Sequence, residues 1–169
     1  MKNLEGLFLH FLQDVYYAER QLLKALNKMA KAAHDPDLAA AFTSHREETV
    51  HQIERLDQVF EKIGKRARAI PCEAIKGIIE EGEEVVEMFE AGPVRDAGLL
   101  ACGQAAEHYE IARYGALIAW AKASGHTDVV GLLQETLDEE SKTDKLLTKL
   151  ATTRINKDAA TAPVQSKAA

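Results

Sequence analysis

The chain has 169 residues, the size of one ordinary domain, and its 46% hydrophobic and 28% charged residues suit a folded protein with a sizeable core. A net charge of −6 without a lysine or arginine cluster argues against nucleic-acid binding. Two cysteines are too few for a disulfide framework, and no apolar run approaches the ~20 residues of a membrane span. We therefore expect a cytoplasmic protein that binds neither nucleic acid nor membrane.

Two long helices are predicted in the first part of the chain. Between residues 3 and 33, apolar side chains recur at steps of three and four, which places them on one face of a helix. Asp35 and Pro36 then provide an N-cap and a first helical residue. The helix that they start is expected to run to Gly64, with apolar residues along one side.

Three further helices are predicted after a basic loop that ends at Pro71. A short acidic helix spans about 72–90, a long helix about 94–123, and another long helix about 127–152. Tight turns join the first two and the last two long helices, and about thirty residues separate the pairs. This is the connectivity of a ferritin-like four-helix bundle. The predicted fold is therefore all-α: two antiparallel helical hairpins and a long crossover that carries a short extra helix.

The bundle domain is predicted to cover residues 1–153. After Arg154 the sequence consists mainly of Ala, Thr, Lys and Pro, without apolar periodicity. Such a segment has no apolar face to bury against the bundle. Residues 154–169 are therefore predicted to be a disordered tail.

Carboxylates fall on the apolar faces of the predicted long helices. Phasing at 100° per residue places Glu19 inside the face of the first long helix and Glu110 inside that of the third. Glu107 lies one turn before Glu110, toward the edge of the face. Glu140 lies on the face of the fourth long helix, and Asp144 follows one turn later on the same side.

The second long helix offers Glu48 and His51, which form a Glu-x-x-His pair. Glu48 lies on the shoulder of the apolar face and His51 lies further round. His45 is closer to the core face and is the alternative ligand on this helix, although it could simply be a hydrogen-bonded core histidine. A single Glu-x-x-His pair is common on helices, so the pair alone is weak evidence for a metal.

The spacing of the acids strengthens the metal hypothesis. Glu19 and Glu48 are 29 residues apart, and Glu110 and Glu140 are 30 apart, so the two hairpins resemble copies of each other. A lone carboxylate in a bundle core costs several kcal/mol unless it is neutralised or paired. Four helices that each bring an acid inward therefore indicate bound cations. Carboxylates with a neutral imidazole suit iron or manganese, and ferritin-like di-iron proteins use such ligands.

These motifs resemble the YciE/YciF family of ferritin-like, rubrerythrin-related bacterial stress proteins. The resemblance extends over about residues 3–152 and lies in four segments: Asp14–Leu23, His45–Thr49 with His51, Glu107–Glu110 with Tyr114 and Gly115, and Leu137–Glu140 with Thr143 and Asp144. It implies a homodimer with a dinuclear centre of two iron ions, or alternatively manganese. By similarity to rubrerythrin, the residues at ligand positions are Glu19, Glu48, His51, Glu107, Glu110 and Glu140.

Two features depart from the rubrerythrin pattern. Thr143 stands where a second histidine is expected, and Asp144, one turn from Glu140, is the candidate to replace that ligand. The sequence also has no Cys-x-x-Cys pair, so it does not support a rubredoxin-like electron relay within the chain. The leading hypothesis is a non-haem metal protein that reacts with peroxide or oxygen, or that handles iron. The alternative is a helical stress protein whose metal site is structural or lost.

Overall fold

The computed structural model describes residues 3–163 and forms a four-helix bundle. The long helices contact one another in a ring: α1 packs against α2 and α4, and α5 packs against the same two helices. The shorter α3 lies in the crossover from α2 to α4 and packs on α1 and α4. This arrangement confirms the predicted all-α bundle. The helices are α1 Leu4–Ala32, α2 Pro36–Lys62, α3 Glu73–Met88, α4 Pro93–Ala123 and α5 Val130–Leu150.

Two aspartates fix the turn between α1 and α2. Asp35 caps α2, because its Oδ1 accepts the backbone N–H groups of Asp37 at 2.9 Å and Leu38 at 3.0 Å. Asp96 of α4 is buried, and its carboxylate accepts the N–H groups of His34 at 2.7 Å and Asp35 at 2.8 Å. The tip of the first hairpin is therefore tied to the start of the second.

The bundle core consists of two apolar layers with a polar layer between them. One apolar layer contains Phe8, Leu56, Leu117 and Leu133, and the other contains Leu26, Phe42, Leu99 and Leu147. Near the middle of each long helix, buried polar residues lie between these two layers, and they include Glu19, Thr49, Glu110 and Glu140. Within residues 3–163, no helix combines the length and hydropathy needed to cross a membrane.

The two hairpins are internal repeats with an offset of 91 residues. At this offset, buried positions of α1 match buried positions of α4, and those of α2 match those of the segment that contains α5. Examples are Phe8 with Leu99, Glu19 with Glu110, Phe42 with Leu133, Thr49 with Glu140, and Leu56 with Leu147.

The repeat corrects the alignment expected from the sequence. Glu140 corresponds to Thr49, and the predicted match with Glu48 is wrong by one residue. One residue is a rotation of about 100° around a helix, so the error moves a side chain off the core face. Thr49 is accordingly 1% exposed, whereas the Glu48 side chain is 27% exposed.

Helical structure continues beyond the predicted end of the bundle domain. After α5, a turn of π-helix over Ala151–Ile155 leads into α6, Asn156–Thr161. Ile155 is buried in the apolar layer with Leu26, and an Arg154 guanidinium nitrogen lies 3.0 Å from Asp35. The structure thus differs from the predicted disorder after residue 153, because a single apolar side chain leaves no periodic signal in the sequence. The remainder of the predicted tail, from residue 164, lies outside the described residues.

The contribution of this C-terminal segment can be measured with Ile155→Ala. Removing a buried isoleucine side chain costs about 2–5 kcal/mol, which should lower the melting temperature by roughly 5–10 °C. Lys157→Ala, at an exposed position of α6, is the matched control and should shift the melting temperature by about 1 °C or less. Equal melting temperatures for the two variants would show that this segment does not stabilise the bundle.

Candidate metal centre

Five ionisable side chains from the four long helices meet in the polar layer. Glu19, His45, Glu107, Glu110 and Glu140 are each 3% exposed or less. Four of them, all except Glu19, place ligand atoms within 4.8 Å of one another. The negative charge of Glu19 acts on Glu110 from within the same layer. The structure therefore brings together four of the seven residues predicted as ligands.

The imidazole of this cluster is that of His45. Its Nε2 lies 3.1 Å from a Glu107 carboxylate oxygen and 3.4 Å from one of Glu140. The His51 side chain is 67% exposed, and its Nδ1 lies 3.2 Å from Glu54. The structure thus places His45, the alternative ligand, in the cluster and leaves the predicted ligand His51 outside it. The two histidines are six positions apart in the sequence, so their side chains point in directions about 120° apart around α2.

Glu48 supports His45 from the outer side of the cluster. Its carboxylate lies 3.5 Å from His45 Nδ1 and 3.6 Å from Lys142 Nζ. A carboxylate on the outer nitrogen of an imidazole fixes the ring and leaves the inner nitrogen free for a metal. The geometry makes Glu48 a positioning residue, where the sequence predicted a ligand.

Asp144 also lies outside the cluster. Its Oδ1 accepts a hydrogen bond from the Gln104 amide at 3.2 Å and lies 3.1 Å from Nε2 of the exposed His108. The neighbouring Thr143 is the buried residue, and its hydroxyl lies 3.3 Å from His45 Nδ1. The structure therefore does not bring Asp144, predicted to replace the missing histidine, into the cluster. Four residues carry the chain about 6 Å along the helix, which places Asp144 against the outer side of α4.

Gln52 is a residue of the cluster that the sequence analysis missed. It is fully buried, and its amide nitrogen donates hydrogen bonds to Glu140 and, at 3.1 Å, to Glu139. Arg55 donates two hydrogen bonds to Glu139, at 2.6 and 2.7 Å. In the sequence, only its position could indicate this role, because Gln52 lies three residues after Thr49 on the buried face of α2.

Burial makes ionisation of the carboxyl groups unfavourable. Burial raises the pKa of Glu19 to about 7, although the hydrogen bond from Tyr114 partly opposes this change. Burial also raises the pKa of Glu110 well above its ordinary range, as do the charges of Glu19 and Glu140. Without a cation, Glu19 and Glu110 therefore retain their protons to higher pH than exposed glutamates do.

Five buried oxygen atoms of the cluster accept no hydrogen bond, although one of them, Glu140 Oε2, lies 3.4 Å from His45 Nε2. Within residues 3–163, these five are the only buried side-chain oxygens without a hydrogen-bond partner. The other buried side-chain atoms without a partner are arginine Nε atoms. Buried acceptors are almost always paired in native proteins, and a metal cation can satisfy several at once. The oxygens are Glu19 Oε2, Gln52 Oε1, Glu107 Oε2, Glu110 Oε1 and Glu140 Oε2.

A helical bundle with buried carboxylates and an inward histidine has the architecture of carboxylate metalloproteins. The chain belongs to the family described as a domain of unknown function, DUF892, whose model matches residues 3–160. It is 48% identical over 160 residues to Protein YciF of Escherichia coli (strain K12), covering 94% of this chain and 96% of that protein. The resemblance to the YciE/YciF family is thereby confirmed.

Two solved structures share the fold. The crystal structure of the E. coli stress protein YciF matches with a TM-score of 0.88 and 47% identity, over 93% of this chain and 99% of that one. YcfI of Rhodopseudomonas palustris, suggested to be a structural protein, matches with a TM-score of 0.85 and 49% identity. That match covers 87% of this chain and 94% of the R. palustris chain.

The raised carboxyl pKa values predict that the metal-free protein loses stability as pH rises. Unfolded glutamates ionise near pH 4.5, whereas folded Glu19 ionises near pH 7. The stabilisation from this carboxyl group is complete below about pH 4.5 and is lost between pH 4.5 and about pH 7, since the unfolded chain releases its proton first. Chelator-treated protein should melt roughly 5–10 °C lower at about pH 8 than at about pH 5.5. Glu19→Gln should reduce this difference; a flat or rising profile for the wild type would contradict the assignment.

Proposed function

We propose that the buried cluster binds iron or manganese and that the protein uses this metal to react with peroxide or oxygen during stress. The observation that carries the proposal is the convergence of five unpartnered oxygens and one imidazole in the bundle interior. The family relationship to the stress protein YciF supports the physiological context. Two iron ions, or manganese in their place, are the occupants that the ferritin-like resemblance implies.

The donor set fits a hard metal cation. His45, Glu107, Glu110 and Glu140 would hold it through one imidazole nitrogen and carboxylate oxygens. Oxygen-rich ligation with one imidazole and no thiolate in the cluster favours iron or manganese over softer metals. When bound, iron or manganese would supply the electrons that reduce an oxidant such as peroxide.

The residues around the ligands hold them in place and exclude water. The Tyr114 hydroxyl donates to Glu19, and the Gln52 amide donates to Glu140. Apolar layers on both sides of the cluster keep bulk water away from it. Glu19, whose pKa is raised to about 7, can retain a proton in the metal-free state and release it when a cation arrives.

The assignment of His45 as the imidazole ligand can be tested by measuring metal binding. His45→Ala should weaken Mn²⁺ binding by about 100-fold or more, because it removes the nitrogen ligand. His51→Ala, at an exposed position on the same helix, is the matched control and should bind Mn²⁺ like the wild type. Equilibrium dialysis with elemental analysis measures both, and circular dichroism verifies that both variants remain helical. Loss of Mn²⁺ in His51→Ala but not in His45→Ala would contradict this assignment.

The redox proposal can be tested with hydrogen peroxide. Protein loaded anaerobically with Fe²⁺ should consume peroxide in proportion to its iron, faster than the same iron in buffer. His45→Ala at the same total iron is the control and should behave like buffer. If wild-type protein binds iron but adds nothing to the rate in buffer, the redox proposal fails. The metal would then only brace the bundle.

A further inference from the structure

We infer that the two hairpins contribute unequally to the centre, so that it binds one cation tightly and a second cation weakly and exchangeably. The inference rests on the proposed metal binding and concerns how the ligands are divided. A symmetric ferritin-like pair takes from each hairpin a Glu on one helix and a Glu-x-x-His on the other. The 91-residue offset between the hairpins shows which of these ligands remain.

The first hairpin lacks two of the three ligands of the symmetric pattern. Thr49 and Gln52 occupy the Glu and His positions of its second helix, since they correspond to Glu140 and Thr143 of the second hairpin. The Thr49 hydroxyl donates a hydrogen bond of 2.9 Å to the backbone carbonyl of His45. Its side chain is thus engaged with its own helix. Glu19 is the one anionic ligand that the first hairpin keeps.

The second hairpin has a carboxylate that the first hairpin lacks. Glu107 corresponds to Tyr16 of the first hairpin and adds a third carboxylate to Glu110 and Glu140. His45, although it belongs to α2, joins the same group, because its Nε2 is 3.1 Å from Glu107 and 3.4 Å from Glu140. Three carboxylates and one imidazole therefore converge on one cation position.

The ligands left for a second cation are few and partly engaged. Glu19 Oε1 accepts the Tyr114 hydroxyl, which leaves Oε2 as its free oxygen. Gln52 offers a neutral amide oxygen, and Glu110 would have to be shared with the first cation. A neutral amide oxygen attracts a divalent cation less strongly than a negatively charged carboxylate does. Loss of such ligands should weaken the second step by about 100-fold or more relative to the first.

Titration of Mn²⁺ into the metal-free protein tests this division. Calorimetry should resolve a tight step of one ion per chain and a second step about 100-fold weaker or more. Glu107→Gln should abolish the tight step, and Glu19→Gln should abolish the weak one. The double variant Thr49→Glu with Gln52→His restores the missing pair and should bring the two steps within about tenfold of each other. Thr49→Val is the matched control and should titrate like the wild type.

The possible outcomes separate this inference from the proposed function. Two ions of equal affinity in the wild type would overturn the inference and leave the proposed metal binding intact. Abolition of the tight step by Glu19→Gln would also overturn the inference. If no Mn²⁺ binds to the wild type, both fail. If the double variant does not fold, the comparison of Glu19→Gln with Glu107→Gln decides the matter without it.

Discussion

The burial of four carboxyl groups around one imidazole is the constraint on which the rest of the structure depends. Removing several carboxylates from water is unfavourable unless protons, hydrogen bonds or cations compensate them. His45, whose pKa is raised well above its ordinary value, offers a single positive charge to the group formed by Glu19, Glu107, Glu110 and Glu140. Five oxygens of the cluster accept no hydrogen bond. A cation accounts for this arrangement better than protons do. A proton forms one hydrogen bond, whereas a metal ion can coordinate several oxygen atoms at once.

The structure around the cluster fixes the positions of the charged groups. Apolar layers above and below exclude solvent, and hydrogen bonds from Tyr114 and Gln52 orient two of the carboxylates. Ion pairs nearer the surface hold the residues next to the cluster. Glu48 lies between His45 and Lys142. Arg55 donates hydrogen bonds to Glu139, which also accepts one from Gln52. Ligand geometry is thus set by residues that would not themselves bind metal, as in other metal sites.

Much of the fold, but only part of the site, could be predicted from the sequence. Long amphipathic patterns predict the helices, and the inward acids can be recognised because they interrupt the apolar faces. The Glu-x-x-His spacing from Glu48 predicts His51 as the imidazole ligand, whereas helix phase favours His45, the histidine that the structure places in the cluster. Gln52 escaped notice because a neutral amide on a buried face gives no electrostatic signal. The docking of Ile155 depends on one side chain and could not be seen from periodicity.

Anomalous X-ray diffraction from crystals grown with Mn²⁺ shows whether a metal cation satisfies the unpartnered oxygens. We expect an anomalous peak at bonding distance, about 2.0–2.2 Å, from His45 Nε2 and from carboxylate oxygens of Glu107, Glu110 and Glu140. Absence of a peak there, with the carboxyl groups paired to one another through shared protons, would show that protons and not a cation compensate the buried carboxyl groups.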